Sequence, residues 1–194
     1  MVQLQMFKYC PSCSSRKIIF EEGKIFSCPD CGFVYYQNIA AASGCLVIVP
    51  DADGNTADDR MLFLVRNREP GKGKLDLPGG FVDTGEGIFE GLYREMQEEL
   101  GWTPPVPQGA ALSDVFTLFA SFSNVYKYKN IDYNTCDMYF TIRAPRLKPE
   151  DLIVEKDEIA GALFLKRQEI DLDKLAFTST RRAVEVYLNK KSIK

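Results

Sequence analysis

Gly80-Phe81-Val82-Asp83-Thr84-Gly85-Glu86, continued by Gly87-Ile88-Phe89-Glu90-Gly91-Leu92-Tyr93 and Arg94-Glu95-Met96-Gln97-Glu98-Glu99-Leu100-Gly101-Trp102, carries more information than any other part of the chain. It opens as a loop and becomes a helix, with Thr84 read as the N-cap and Gly101 as the C′ residue. At about 100° per residue, Glu95 and Glu99 each fall within about 20° of the direction of Ile88. They lie close to Leu92 on the apolar stripe, and Glu98 lies on its flank. A helix with acids along its core-facing side has to neutralise them, because a buried unpaired carboxylate is among the costliest groups a fold can hold. The plainer alternative is an amphipathic helix with a solvated acidic edge. Clustered oxygen ligands suit Mg²⁺ or Mn²⁺, which keep some waters and accept phosphate oxygens from a substrate.

The spacing is also a signature. A glycine, five residues, a glutamate, seven residues, Arg-Glu, an apolar residue, any residue, Glu-Glu, any residue, glycine and an apolar residue make up the Nudix box, and the segment fits each defined position. The chain therefore resembles a Nudix hydrolase. Its approach to the box, Arg66-Asn67-Arg68-Glu69-Pro70-Gly71-Lys72-Gly73-Lys74-Leu75-Asp76-Leu77-Pro78-Gly79-Gly80, is similar to the family's as well. The resemblance implies an α/β fold, an α/β/α sandwich around a mixed sheet over roughly residues 38–194, and hydrolysis of a nucleoside diphosphate linked to another moiety. It implies Glu95 and Glu99 as metal ligands and Glu98 as a ligand or the base. Glu86 and Arg94 would pair to hold the loop against the helix, and the Gly80 carbonyl would complete the metal shell.

Composition narrows the chemistry. There is no histidine among the 194 residues, which excludes Ser-His and Cys-His catalysis and any Cys/His zinc site. Carboxylates, metal-bound water, lysine or tyrosine have to do the work. The formal charge of −3 offers no electrostatic footprint for nucleic acid or an anionic membrane. No apolar run is long enough to span a bilayer, and Met1 to Tyr9 lacks the extended apolar region of a signal peptide, so a cytoplasmic location is expected.

Residues 1–37 read as a separate module. Cys10-Pro11-Ser12-Cys13 and Cys28-Pro29-Asp30-Cys31 are two Cys-x-x-Cys knuckles, and four thiolates from two such turns complete a tetrahedral structural Zn²⁺ site, a zinc ribbon. Between them Lys17–Phe20 and Lys24–Ser27 read as a hairpin. Disulfides or redox dithiols are the competing reading. Cys45 and Cys136 lie in strand-like runs and are read as buried and inert.

From residue 38 onward, Cys45–Val49 and Met61–Val65 read as paired strands joined by the polar loop Asp51–Arg60. Its four aspartates read as a solvated tip, since they lack EF-hand spacing. Arg66 and Arg68 are candidates for meeting phosphate, with surface charge as the alternative. Across the aromatic-rich stretch Val115–Asn130 and the following Asp137–Ile142, the two apolar ends read as strands and the middle as an exposed loop. In that loop Tyr126, Tyr128 and Tyr133 either stack on a base or pack at a strand edge. By resemblance, one acid of Glu155-Lys156-Asp157-Glu158 joins the metal cluster or serves as base. Thr180–Asn189 reads as a packing helix.

A zinc ribbon before a Nudix domain resembles the NADH pyrophosphatase group, but that group carries a Ser-Gln-Pro-Trp-Pro-Phe-Pro-type segment after the box. Here Ser121-Phe122-Ser123-Asn124-Val125-Tyr126 stands in a comparable place without the tryptophan and prolines. The expected partner is a small-molecule nucleoside diphosphate derivative, an NADH-like dinucleotide or ADP-ribose, with no membrane and no nucleic acid; a homodimer is among the arrangements open to it. The rival is a nucleotide-sensing or RNA- or protein-binding Nudix module without significant turnover.

Overall fold

A computed structural model describes residues 7–129 and 131–189; the outer limits drawn above, residues 1 and 194, lie outside it, as does Asn130. Near the N-terminus β1 (Ile19–Glu21), β2 (Ile25–Ser27) and β3 (Val34–Tyr36) form a three-stranded antiparallel sheet. This is one strand more than the hairpin the sequence suggests. Its own core is small and aromatic: Phe26 is fully buried and meets Phe7 edge-on at 4.9 Å and Phe20 stacked at 4.4 Å.

The second sheet is mixed and six-stranded. Its strands are β4 (Ala40–Val49), β5 (Arg60–Arg66), β6 (Leu75–Asp76), β7 (Thr117–Tyr128), β8 (Ile131–Arg143) and β9 (Ile159–Lys166). They run in the order β6-β5-β4-β8-β7, with β9 on β5. Two helices, α1 (Ile88–Leu100) and α2 (Thr178–Asn189), cover its faces. On one face Val47, Leu62, Leu64, Phe140 and Ile142 pack against Leu92, Met96 and Leu100 of α1. On the other, Leu46, Ile48, Met61 and Phe63 pack against Leu175, Ala183 and Val184. Successive strand residues alternate between these cores, as the pleat requires.

Three differences from the sequence reading have local causes. Strands β4 and β5 pair only at Ile48↔Met61 and Val49↔Arg60, since β4 makes its long pairing with β8, in parallel, and β5 with β9. The tyrosine-rich middle is not a loop. Strands β7 and β8 stay paired from Thr117↔Thr141, through one shift of register between Leu118 and Ala120, out to Tyr128↔Ile131, because residues of the hairpin still pair where the core has ended. Cys136 lies on that outer part of β8 and is exposed, whereas Cys45 is buried as expected.

Where β5 splays away from β4, the stretch 78–82 takes its place. Cys45 N–H donates to the Pro78 carbonyl (2.8 Å), Ser43 N–H to Gly80 (2.9 Å) and Val82 N–H to Ala41 (3.1 Å). This wedge needs Gly79, whose φ of 137° and whose absent Cβ, which would lie 2.2 Å from the Ser43 carbonyl oxygen, leave room for nothing larger. Gly79→Ala is expected to cost about 2–4 kcal/mol of unfolding free energy by urea titration, with the surrounding wedge loosened. A change below about 0.5 kcal/mol would contradict the packing described here.

Candidate active site

The wedge delivers the start of the box onto α1. Thr84 does not cap the helix: the N-cap is Gly87, with no side-chain cap, while Gly101 closes the other end in the left-handed conformation with its N–H on the Gln97 carbonyl. Glu86 instead turns back to Arg94. The guanidinium grips both oxygens of Glu86 (Nε–Oε1 2.8 Å, Nη2–Oε2 3.1 Å), and also donates to the Phe81 carbonyl (3.0 Å), to Glu95 (3.0 Å) and to Glu98 (2.9 Å). One side chain so ties the loop to the helix with charge-assisted bonds. The pairing holds the Glu86 carboxyl below the usual carboxylate range.

Glu99 is treated differently. It accepts the Gly79 N–H at 2.8 Å and has no cationic partner among the described residues. Desolvation pushes Glu99 well above the ordinary carboxylate range, and the nearby Glu95, Asp76 and Glu158 add to the rise. Glu95 is raised too, by desolvation first, against the pull of Arg94. Gly80 is close-packed beside it: a Cβ there would meet the Glu95 carboxylate at 2.5 Å. Glu98 is the most solvent-facing of the three. Carboxylates of this kind suit a hard divalent cation by donor type, while among the described residues only the four cysteines bring three or more ligand atoms within 4.8 Å of one another.

Gly79, Gly80, Glu95 and Glu99 form one wall of a cavity of about 160 Å³, also lined by Ser43, Arg66, Asp76, Thr135, Asp137, Tyr139 and Glu158, while Glu98 lies outside that lining. Arg66 is not a surface charge. Its guanidinium donates to Asp76 (3.1 Å) and to the Pro70 carbonyl (2.8 Å) and lies 4.9 Å over the Phe177 ring. Arg68 is ion-paired with Glu158 at the mouth, which singles out Glu158 from its run of acids. Tyr126 packs edge-on to Phe81 (5.3 Å) and beside Phe177 (5.6 Å). Together with Arg68, Tyr128 and Tyr133, Tyr126 and Phe81 also line an adjoining hollow of about 420 Å³. Three buried side-chain polar atoms lack a hydrogen-bond partner among the described residues: Ser43 Oγ, Arg66 Nη2 and Thr135 Oγ1. All three residues line the inner cavity. Sequence reading passes over Ser43, Asp76, Thr135 and Asp137, since their alternation with apolar neighbours looks like an ordinary solvent face.

The four cysteines of the N-terminal segment are gathered, with ligand atoms all within 4.8 Å of one another, and unbridged. Cys10–Cys31 and Cys13–Cys28 sulfurs stand 3.6 and 3.7 Å apart. Tetrahedral Zn–S bonds of about 2.3 Å put sulfurs about 3.8 Å apart. The quartet is compatible with a zinc ribbon.

Because the folded state holds Glu95 and Glu99 above their unfolded pKa, the cation-free fold binds extra protons across that window. Stability present below the ordinary carboxylate range is then lost as pH rises through the raised values. A divalent cation held by the charged forms offsets that loss. The gain in Tm on adding Mn²⁺ is therefore expected to be larger at about pH 7.5 than at about pH 5.5, and smaller in Glu99→Gln at the higher pH. Equal gains at both pH values would contradict this.

Comparison with known proteins agrees with the geometry. The profile of the NUDIX domain matches residues 42–186. An ADP-ribose pyrophosphatase of Methanocaldococcus jannaschii is 38% identical over 74 residues, 31% of this chain and 44% of that protein. An NAD-capped RNA hydrolase NudC of Chromobacterium violaceum is 31% identical over 103 residues, 51% of this chain and 36% of that protein. The chain thus spans less than half the length of these curated relatives. A NUDIX hydrolase from Nitrosomonas europaea superposes with a TM-score of 0.63 at 22% identity, over 95% of this chain and 92% of that one. The NUDIX domain of Shewanella oneidensis NrtR, solved with ADP ribose, gives 0.59 at 14% identity, over 78% and 88%. These two likenesses concern the fold. With its box, its mixed sheet and a profile match over three quarters of its length, the chain belongs to the NUDIX domain family.

Proposed function

We propose that the protein is a divalent-metal-dependent pyrophosphohydrolase that splits the diphosphate linkage of a nucleoside diphosphate derivative, ADP-ribose or an NADH-like dinucleotide, into two monophosphates, one of them AMP. The observation that carries this reading is the pairing, across one small cavity, of desolvated Glu95 and Glu99 with Arg66, whose Nη2 is buried and unpartnered. Such a cavity suits a ligand that brings both anionic oxygens and a cation. The names of the two curated relatives, an ADP-ribose pyrophosphatase and an NAD-capped RNA hydrolase, support it.

In this reading Glu95 and Glu99 hold Mg²⁺ or Mn²⁺, with the Gly80 carbonyl as a further oxygen and Glu98 as ligand or base. When bound, the metal lowers the pKa of a coordinated water and offsets phosphate charge. The water oxygen bonds to one phosphorus, the bond from that phosphorus to the bridging oxygen breaks, and the bridging oxygen leaves with the other phosphate. The water proton passes to a carboxylate, Glu98 or Glu158. Arg66 would take a phosphate oxygen, and Arg68, which lines the same cavity in an ion pair with Glu158, would offer a second cationic contact to the diphosphate. Arg94 holds Glu86, Glu95 and the loop in place. Tyr126 and Tyr128 offer ring surface to the base. Among the described residues no helix is long and apolar enough to cross a membrane; unbridged cysteines suit the cytoplasm.

Incubation with ADP-ribose or NADH and Mg²⁺ is expected to give AMP and a second monophosphate by phosphorus NMR, with phosphomonoesters untouched and Glu98→Gln slowed by about 10² or more in kcat. Binding without turnover would favour the sensing module, and a faster reaction on nucleoside triphosphates would move the substrate class. The ribbon is expected to hold one zinc per chain by elemental analysis. Cys28→Ser is expected to release it and to raise hydrogen exchange in residues 7–37, with the larger domain still folded. A zinc-free preparation with a protected ribbon would refute that.

A further inference from the structure

Of the three unpartnered polar atoms, Arg66 Nη2 is accounted for by phosphate, but the hydroxyls of Ser43 and Thr135 are not. Both residues are deeply buried, 7% and 3% exposed, and both line the inner cavity. A buried hydroxyl without a partner is costly to the empty fold, which is understandable where a ligand supplies the bond. Two further polar groups stand with Thr135. Asn124 faces Thr135 across the β7–β8 register. Asp137, two residues along the same face of β8, accepts the Ser179 hydroxyl on Oδ2 at 2.6 Å, and Oδ1 makes no hydrogen bond among the described residues. Ser179 in turn accepts from the Tyr139 hydroxyl at 2.9 Å, so that relay fixes the Asp137 carboxylate.

Ser43 lies on the α1 face of β4 with Cys45 and Val47, whereas Thr135 and Asp137 share the opposite face of the sheet with Tyr139. We propose that Asn124, Thr135 and Asp137 form a subsite for the hydroxyl groups of a sugar ring carried on the diphosphate, so that the sugar end of the substrate enters the inner cavity and the base stays in the aromatic hollow outside. The proposal rests on the diphosphate-cleaving reading above. A hydroxyl that both donates and accepts, beside a carboxylate that accepts, matches a vicinal diol. The inner rings leave little open face for a base, since Phe177 is covered by Arg66 and Tyr126 packs against both Phe81 and Phe177. Tyr128 and Tyr133, 49% and 39% exposed, keep theirs in the outer hollow. Size agrees: at about 160 Å³ the cavity is below the roughly 300–1,000 Å³ that holds a whole ligand, so one moiety enters and the rest leaves past Arg68, Phe81 and Tyr126, which line both spaces.

The test compares ADP-ribose with P1-adenosyl-P2-methyl diphosphate, which keeps the diphosphate and adenosine and replaces the outer sugar by methyl. In wild type, kcat/KM for ADP-ribose is expected to exceed that for the methyl ester by at least about tenfold, and this ratio to fall at least about fivefold in Thr135→Val and in Asn124→Ala, chiefly through KM. Thr135→Val replaces an unpartnered hydroxyl with a methyl of the same shape and is expected to leave Tm no lower; Asn124, half-buried, is the second variant should that one fail to fold. Equal use of the two compounds by wild type, or a ratio that survives both substitutions, overturns the sugar subsite while the diphosphate reading stands. If neither compound is split, the diphosphate reading fails instead. The subsite is then decided by calorimetric binding of the same two compounds to the same proteins, with equal affinities overturning it.

Discussion

One guanidinium, that of Arg94, makes the rest of the site physically tenable. It stands within hydrogen-bond reach of Glu86, Glu95 and Glu98 and of the Phe81 carbonyl. Without it, three carboxylates would meet at the junction of loop and helix with no local compensation, and their repulsion would push the loop off α1. With it, the junction is held together, and the deficit of positive charge is displaced to Glu99, the buried acid of the Glu98-Glu99 pair, which Arg94 does not reach. The unbalanced charge is thereby concentrated beside the cavity, where a cation and a phosphate can both be used.

The cavity itself follows from an irregularity of the sheet. Strands β4 and β5 share only two residue pairs before diverging, and the 78–82 stretch fills the gap as a substitute strand. A regular sheet would satisfy β4 with side-chain-bearing neighbours along its length. Here two glycines take that place, so backbone approaches backbone at Gly79 and the Glu95 carboxylate lies against Gly80. The same divergence leaves the Ser43 hydroxyl and the guanidinium of Arg66 at the cavity wall rather than in a packed core.

Polar burial on the α2 side of the cavity is ordered in a complementary way. Arg66 meets Asp76, Asp76 meets Thr180, and Thr180 and Ser179 both meet Tyr139, with Asp137 at the far end. This network spans β5, β6, β8 and the start of α2. Burial raises the Asp76 carboxyl against the opposing pull of Arg66, so the network is a place where solvation has been given up for fixed geometry. Groups left unpartnered at its edges are then held in place rather than free to turn elsewhere.

The sequence by itself determined the parts built from local spacing. The box from Gly80 to Trp102 and the two cysteine knuckles were legible because each depends on intervals that a helix or a tight turn converts directly into proximity. The buried strands were legible from their apolar runs, but not their neighbours: the parallel pairing of β4 with β8 joins residues about ninety positions apart, and no local pattern encodes it. The Thr84 cap was misplaced because Glu86 is drawn to Arg94 and the helix starts later than its capping chemistry suggests. Only the tertiary structure decided that Glu158 is the acid at the cavity mouth, that Tyr126 and Tyr128 sit on a long strand pair, and that Asn124, Thr135 and Asp137 face a shared interior space. The reason is that a polar residue alternating along a strand looks the same whether its face meets water or a cavity, and the difference lies entirely in what long-range packing puts opposite it.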